Sequence, residues 1–155
     1  MISIRELRRD DGEACDAIVA SLPYHFGHEG GRELCARAAR ESRGLVAVSA
    51  ASVVGFLTWR AWYGTTVEIT WMAVRADTRR RGVGRRLIDE LAAGADGVRF
   101  LLVTTLSQAT PEPGVEDGYA GTRRFYERNG FVPVWDPHGW WSDSNQAVVM
   151  LRTLG

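Results

Sequence analysis

Eight consecutive residues, Arg79 to Arg86, hold five arginines and two glycines, Gly82 and Gly84, with no acidic residue among them. Guanidinium groups are planar, permanently charged and rich in donors, which suits them to phosphate oxygens. Glycine lets a ligand approach the backbone where a Cβ would stand in the way. The segment follows "TVEITWMAV" (66–74), which reads as a strand, and from Val83 apolar residues recur at Leu87, Ile88, Leu91 and Ala92, which is helical spacing. A strand that turns into a helix leaves the first N–H groups of the helix without partners, pointing outward. The helix dipole adds partial positive charge at that end. Residue type and position together predict a cradle for a phosphate or pyrophosphate.

Several unrelated machines hold phosphates, and the chain excludes some of them. A Walker A loop needs a lysine, and all 19 basic residues here are arginine. A dinucleotide fold needs a third glycine where Leu87 stands, and an acidic residue where Val103, Thr104 and Thr105 stand. A nucleic-acid coat is disfavoured by a net charge of zero. A plain solvated basic face leaves the glycine pair at the turn unexplained.

The elements that must position this loop are readable along the 155 residues, which are enough for one domain (1–155). "ISIREL" (2–7) alternates like a strand, and Asp10 and Asp11 are placed to cap a helix bearing Ala14, Ile18 and Val19. A second helix, about 31–42, carries Leu34, Cys35, Ala38 and Ala39 as its apolar stripe. Residues 45–62 read as two strands around a short turn, and 98–106 as a strong strand. A helix around 119–129 ends at Asn129-Gly130. "FVPVW" and "AVVMLRTL" supply two closing strands. The order β-α-α-β-β-β-α-β-α-β-β predicts an α/β (α+β) domain with a mixed sheet, antiparallel first and parallel around 66–106. Cys15 and Cys35 lack metal-ligand or C-x-x-C spacing and read as reduced thiols. The N-terminal stretch has no secretory apolar core and no run reaches the ~20 residues of a membrane span, so the expected location is cytoplasmic.

"VRADTRRRGVGRRLI" resembles the acyl-CoA-binding motif of the GNAT superfamily of N-acetyltransferases, R/Q-x-x-G-x-G/A, carried here by Arg79, Gly82 and Gly84. "TRRFYERNGFVPV" resembles the same superfamily's helix-to-strand motif, F-Y-x-x-x-G-F. The two motifs lie in the family's order, and the resemblance covers essentially the whole chain, with Ala76 where many members have proline. It implies a GNAT fold of six to seven strands and about four helices, with strands 4 and 5 splayed into a slot. Acetyl-CoA would lie there, its pantetheine arm along Met72, Ala73 and Val74. Its pyrophosphate would meet the N–H groups of Arg80, Arg81, Gly82, Val83, Gly84 and Arg85.

Acetyl transfer to an amine needs a neutral nucleophile, an oxyanion partner and a proton for the departing thiolate. Glu68 is the candidate base, on a strand whose simple alternation puts it on the face of Thr70 and Met72. "EITWMAV" resembles the histone-acetylating branch, where a glutamate at this place is the base; the competing reading makes Glu68 a partner of Arg60. Glu116 and Asp117 are fallback bases. By resemblance Tyr126 is the acid beside the cofactor sulfur, and the N–H of Ala73 meets the oxyanion; a packed core tyrosine is the competing reading.

Substrate residues are expected from the link between the first two helices (Tyr24, His25, Phe26) and from Trp59, Trp71 and Trp141. Trp140 and Trp141 suit either a pocket wall or a homodimer contact. An aromatic pocket beside Glu68 would take a cationic or aromatic amine. His25 and His28 lack a third metal ligand, so no metal is expected. The expected acceptor is the primary amine of a small molecule, with no membrane or nucleic-acid partner. A protein N-terminus or lysine, or a non-catalytic acyl-CoA-binding module, stand as alternatives.

Overall fold

The computed structural model describes residues 1–22, 30–106, 120–137 and 147–155. Among these residues seven strands form one sheet: β1 (Ile2–Glu6), β2 (Arg43–Ser49), β3 (Ser52–Trp62), β4 (Thr66–Val74), β5 (Phe100–Leu106), β6 (Val132–Trp135) and β7 (Ala147–Thr153). Four helices accompany them: α1 (Gly12–Ala20), α2 (Gly31–Glu41), α3 (Val83–Ala93) and α4 (Ala120–Arg128). The strand order is β1-β2-β3-β4-β5-β7-β6, antiparallel except for the parallel pair β4-β5. This is the element order and the mixed sheet that the apolar periodicities predict.

The sheet buries both faces. On one, α3 sets Val83, Leu87, Ile88 and Leu91 against Leu57, Val67, Ile69, Leu101 and Val103, and Tyr126 and Phe131 complete the cluster. On the other, Cys15, Ile18 and Val19 of α1 and Cys35 and Ala39 of α2 cover Val46, Phe56 and Ala73. Along β2, Leu45 and Ala47 go to the first cluster and Val46 and Val48 to the second, as the period of two requires. Leu34, expected in the apolar stripe of α2, is 60% exposed.

Asp11 does not cap α1 through its side chain. Its carboxylate instead accepts the Arg8 N–H at 2.8 Å and both terminal nitrogens of Arg5 at 2.8 Å. It thus ties β1 to the entry of the helix, and the Arg5 bonds lower its acid from the ordinary aspartate value against the opposing effect of desolvation. No described helix is long and apolar enough to cross a membrane.

α4 ends as its Asn-Gly predicts. Gly130 takes φ +86°, the Phe131 N–H returns to the Tyr126 carbonyl at 3.0 Å, and Gly130 N–H returns to Glu127 at 3.1 Å. This Schellman closure folds Phe131 back so that its ring meets Tyr126 edge-on at 5.4 Å.

Candidate functional site

β4 and β5 pair in register from Thr66↔Phe100 to Ile69↔Val103, and the ladder stops there. Both strands run on, β4 to Val74 and β5 to Leu106, each keeping its outer partner, β3 or β7. Beyond Ile69 and Val103 the sheet therefore carries an opening between two strands whose facing backbone groups are not paired with each other. Met72, Ala73 and Val74 line its β4 side.

At the end of β4 the chain passes through a short 3-10 turn, Ala76–Thr78, and then the arginine-glycine loop. Thr78 is buried and pins the turn by donating its hydroxyl to the Arg75 carbonyl at 2.9 Å. Arg80 and Gly82 both adopt left-handed backbone, at φ +63° and +75°. Gly82 is the N-cap of α3, and the first helical bond runs from Arg86 N–H to its carbonyl at 3.0 Å. Among the described residues, no backbone N–H from Arg80 through Arg85 donates to a backbone carbonyl. Six consecutive donors are thus gathered at the positive end of a helix, the arrangement that binds an anion. Nothing lies within 4 Å of where a Cβ on Gly82 would stand. Arg79, Arg80, Arg81, Arg85 and Arg86 are all exposed around it. These residues fit the diphosphate of a coenzyme A.

Gly84 has a different job from the one its motif suggests. A Cβ there would stand 2.8 Å from Phe125 Cζ and 3.1 Å from Met72 Cε. The glycine lets the first turn of α3 lie directly on α4 and β4, so its missing side chain serves packing.

Glu68 lies on β4 opposite Arg60 of β3. One carboxylate oxygen, Oε2, accepts Arg60 Nε at 2.6 Å and the Trp62 indole N–H at 2.9 Å. The guanidinium also sits over the Trp62 ring, 4.6 Å from its centroid. The pairing with Arg60 is therefore real, and Trp62 is a partner that the sequence reading did not single out. Its signal was present: Trp62 follows Arg60 by two residues on one strand, hence on the same face.

Simple alternation along β4 fails at one point. The β3–β4 register slips between Thr58↔Trp71 and Trp59↔Ile69, so Thr70 is an extra residue, a β-bulge. Val67 and Ile69, then Met72 and Val74, pack toward α3, while Trp71 and Ala73 pack toward α1 and α2. The Thr70 hydroxyl meets that of fully buried Thr58 at 2.7 Å. Glu68 consequently shares its face with Trp71 and not with Met72. Trp59 packs on the α3 side, beneath the Arg43 guanidinium at 4.3 Å. It stands on the opposite face of the sheet from Glu68.

Tyr126 is 6% exposed, in the same core cluster as Ile69 and Val103, the last paired residues before the strands part. Phe125 and Phe131 contact its ring edge-on at 5.2 and 5.4 Å. Burial raises its phenol well above the ordinary tyrosine range, so it holds its proton. Tyr24, His25, Phe26, His28, Glu116, Asp117, Trp140 and Trp141 lie outside the described residues.

No curated protein matches the sequence closely enough to count as a relative. Solved structures do match. A GNAT-family protein from Desulfovibrio desulfuricans superposes with a TM-score of 0.84 at 20% identity, covering 100% of both chains. The ribosomal-protein-S18-alanine N-acetyltransferase of Escherichia coli gives 0.74 at 17%, covering 100% of this chain and 95% of its own. An aminoglycoside 6'-N-acetyltransferase complexed with coenzyme A gives 0.73 at 19%, covering 97% and 96%. At such identities the likeness is one of fold. Residues 40–133 match the acetyltransferase (GNAT) domain, which spans the parted strands, the arginine-glycine loop and the α4 motif. The chain belongs to the GNAT family of acetyltransferases.

Proposed function

We propose that this protein transfers the acetyl group of acetyl-CoA to the primary amine of a small molecule, with Glu68 as base and Tyr126 as acid. The observation that carries the reading is the gap beyond Ile69↔Val103 leading to six N–H groups at the start of α3 that donate to no backbone carbonyl among the described residues. Acetyl-CoA supplies an activated thioester. Residues 80–85 would hold its diphosphate by backbone N–H groups, with Arg79, Arg80, Arg81 and Arg85 adding full charges around them. The free edge of β4 at Met72–Val74 offers backbone partners to an extended arm, as in strand addition. The N–H of Ala73 is assigned to the developing oxyanion.

Glu68 would take the proton that an attacking ammonium must lose, since alkyl amines have a pKa near ~10 and are charged at neutral pH. Its Oε1 accepts no bond among the described residues and is the atom assigned to that proton. Tyr126 keeps its phenolic proton because it is buried, and a retained proton is what a thiolate leaving group needs. Trp71, half-buried on the face of Glu68, supports an acceptor with an aromatic or cationic body over an extended peptide.

Calorimetric titration with acetyl-CoA tests the first half of the proposal. Micromolar binding is expected for the wild type, weakened at least tenfold in an Arg80→Ala, Arg81→Ala variant. A thiol-release screen against diamines, aminoglycosides, arylalkylamines and short peptides tests the second. Absence of acetyl-CoA binding by the wild type would overturn the cofactor assignment. A peptide N-terminus as the fastest acceptor would overturn the small-molecule assignment.

A further inference from the structure

The three side chains at the hairpin end of β3 and β4 form a closed set. Glu68 is fixed through a single oxygen: Arg60 Nε and Trp62 Nε1 both end on Oε2, at 2.6 and 2.9 Å. Arg60 is in turn held over the Trp62 ring at 4.6 Å. The Glu68 side chain is only 13% exposed, whereas that of Arg60 is 58% exposed and closes over it. A carboxylate has two equivalent oxygens and can rotate between them. Two directional donors on one oxygen remove that freedom. They leave Oε1 as the one oxygen with unused lone pairs among the described residues.

The strands dictate this arrangement. Arg60 and Glu68 are direct cross-strand partners, and Trp62 is the next residue on the same face of β3. The bulge at Thr70 then puts Trp71 next to Glu68 on that face, where unbroken alternation would have put Met72. An exposed ion pair far from any site would contribute little and would not need an indole to complete it.

We propose that Arg60 and Trp62 are positioning residues that hold Glu68 by Oε2 so that Oε1 alone faces the acceptor amine. The inference rests on Glu68 being the base. It adds that the base works at full rate only when both donors are in place. Neither residue touches acetyl-CoA in this scheme, so the effect should fall on kcat and leave the KM for acetyl-CoA alone.

The test is steady-state kinetics with acetyl-CoA and the amine taken fastest in the thiol-release screen. It compares wild type, Arg60→Met, Arg60→Lys, Trp62→Phe, Glu68→Gln and the Arg60→Met, Glu68→Gln double variant. The indole N–H resonance of Trp62 is followed in parallel as a direct readout of the bond to Glu68. Arg60→Met and Trp62→Phe should each lower kcat about tenfold, with the KM for acetyl-CoA changed less than twofold. Arg60→Lys should recover part of the loss. The double variant should be no slower than Glu68→Gln alone, because the two residues act through the same carboxylate. The Trp62 indole resonance should shift in Glu68→Gln and in Arg60→Met. If Glu68→Gln is slow but Arg60→Met and Trp62→Phe keep full kcat, the positioning role fails while the base survives. Equal loss from Arg60→Met in both backgrounds has the same meaning. Full activity of Glu68→Gln, or no turnover with any amine, overturns the base itself and the inference with it.

Discussion

Gly82 and Gly84 stand two residues apart in one motif and answer to different forces. Gly82 has φ +75° and open space around its missing Cβ, so its constraint is backbone conformation. Gly84 is helical and hemmed in by Phe125 and Met72, so its constraint is volume. Read from sequence, both looked like room for a ligand, because Phe125 is far along the chain and no local spacing announces that contact. Alanine separates the two roles. Gly84→Ala should overpack the junction of α3, α4 and β4 and destabilise the fold by about 1–3 kcal/mol. Gly82→Ala should cost about 1 kcal/mol, the strain of a left-handed alanine. It should weaken acetyl-CoA binding by more than its effect on stability accounts for. Urea unfolding beside calorimetric titration checks both; equal stability losses would mean that the junction has room to give. Glu68 is the third case at this scale. Its type and strand position were legible, and so was the shared face of Arg60 and Trp62, while the register that sets Glu68 opposite Arg60 is not printed in a sequence.

At the scale of elements, helices and strands were legible because their periods are regular, and β4 misled where its period breaks. Thr70 and Trp71 suit either face of a strand, so nothing in residue type marks Thr70 as the extra residue. The bulge is held from β3: fully buried Thr58 shares a 2.7 Å hydrogen bond with Thr70. Thr58→Val should cost about 1–2 kcal/mol, because it takes the hydrogen-bond partner from the half-buried Thr70 hydroxyl. Adding Thr70→Val should return part of that loss, since removing both polar groups removes the unpaired one. Chemical denaturation of the two single variants and the double variant reads the coupling directly, and strict additivity would show that the bond does not hold the bulge. Acetyl-CoA binding should follow the same pattern, because the bulge decides which face of β4 Met72 and Ala73 take as they line the gap.

At the scale of the whole molecule, the sheet separates a core beneath α3 and α4 from a smaller one beneath α1 and α2, and both cysteines lie in the smaller. The sequence placed them on helices as reduced thiols; their mutual nearness required knowing that the two helices pack on each other. Each is 1% exposed, and burial first of all pushes each thiol up to about 12. The charges of Asp11 and Asp16 add to the shift at Cys15, with Arg40 opposing them, and Cys15 and Asp16 add to it at Cys35. A thiol of the unfolded chain ionises near ~8.5. Its folded pKa is the higher of the two, so the folded state keeps its protons longer, and the contribution is complete below the unfolded value. It is lost as pH rises from about 9 toward the folded value of about 12. Within that window stability should fall by up to ~1.4 kcal/mol per pH unit for each thiol. Urea unfolding at pH 7, 9 and 10 should therefore show a flat stretch followed by a decline, and a Cys15→Ala, Cys35→Ala variant should lose most of the decline below pH 10. Above pH 10 Tyr126 adds a loss of the same sign, since its phenol is also held protonated by burial. Thiol alkylation supplies the independent arm: at pH 8 the native protein should label slowly at both positions and the urea-unfolded protein quickly. Rapid labelling of the native protein would mean that α1 and α2 open readily, and a smaller core that opens so easily could not hold the α1–α2 face of β4 rigid around Glu68.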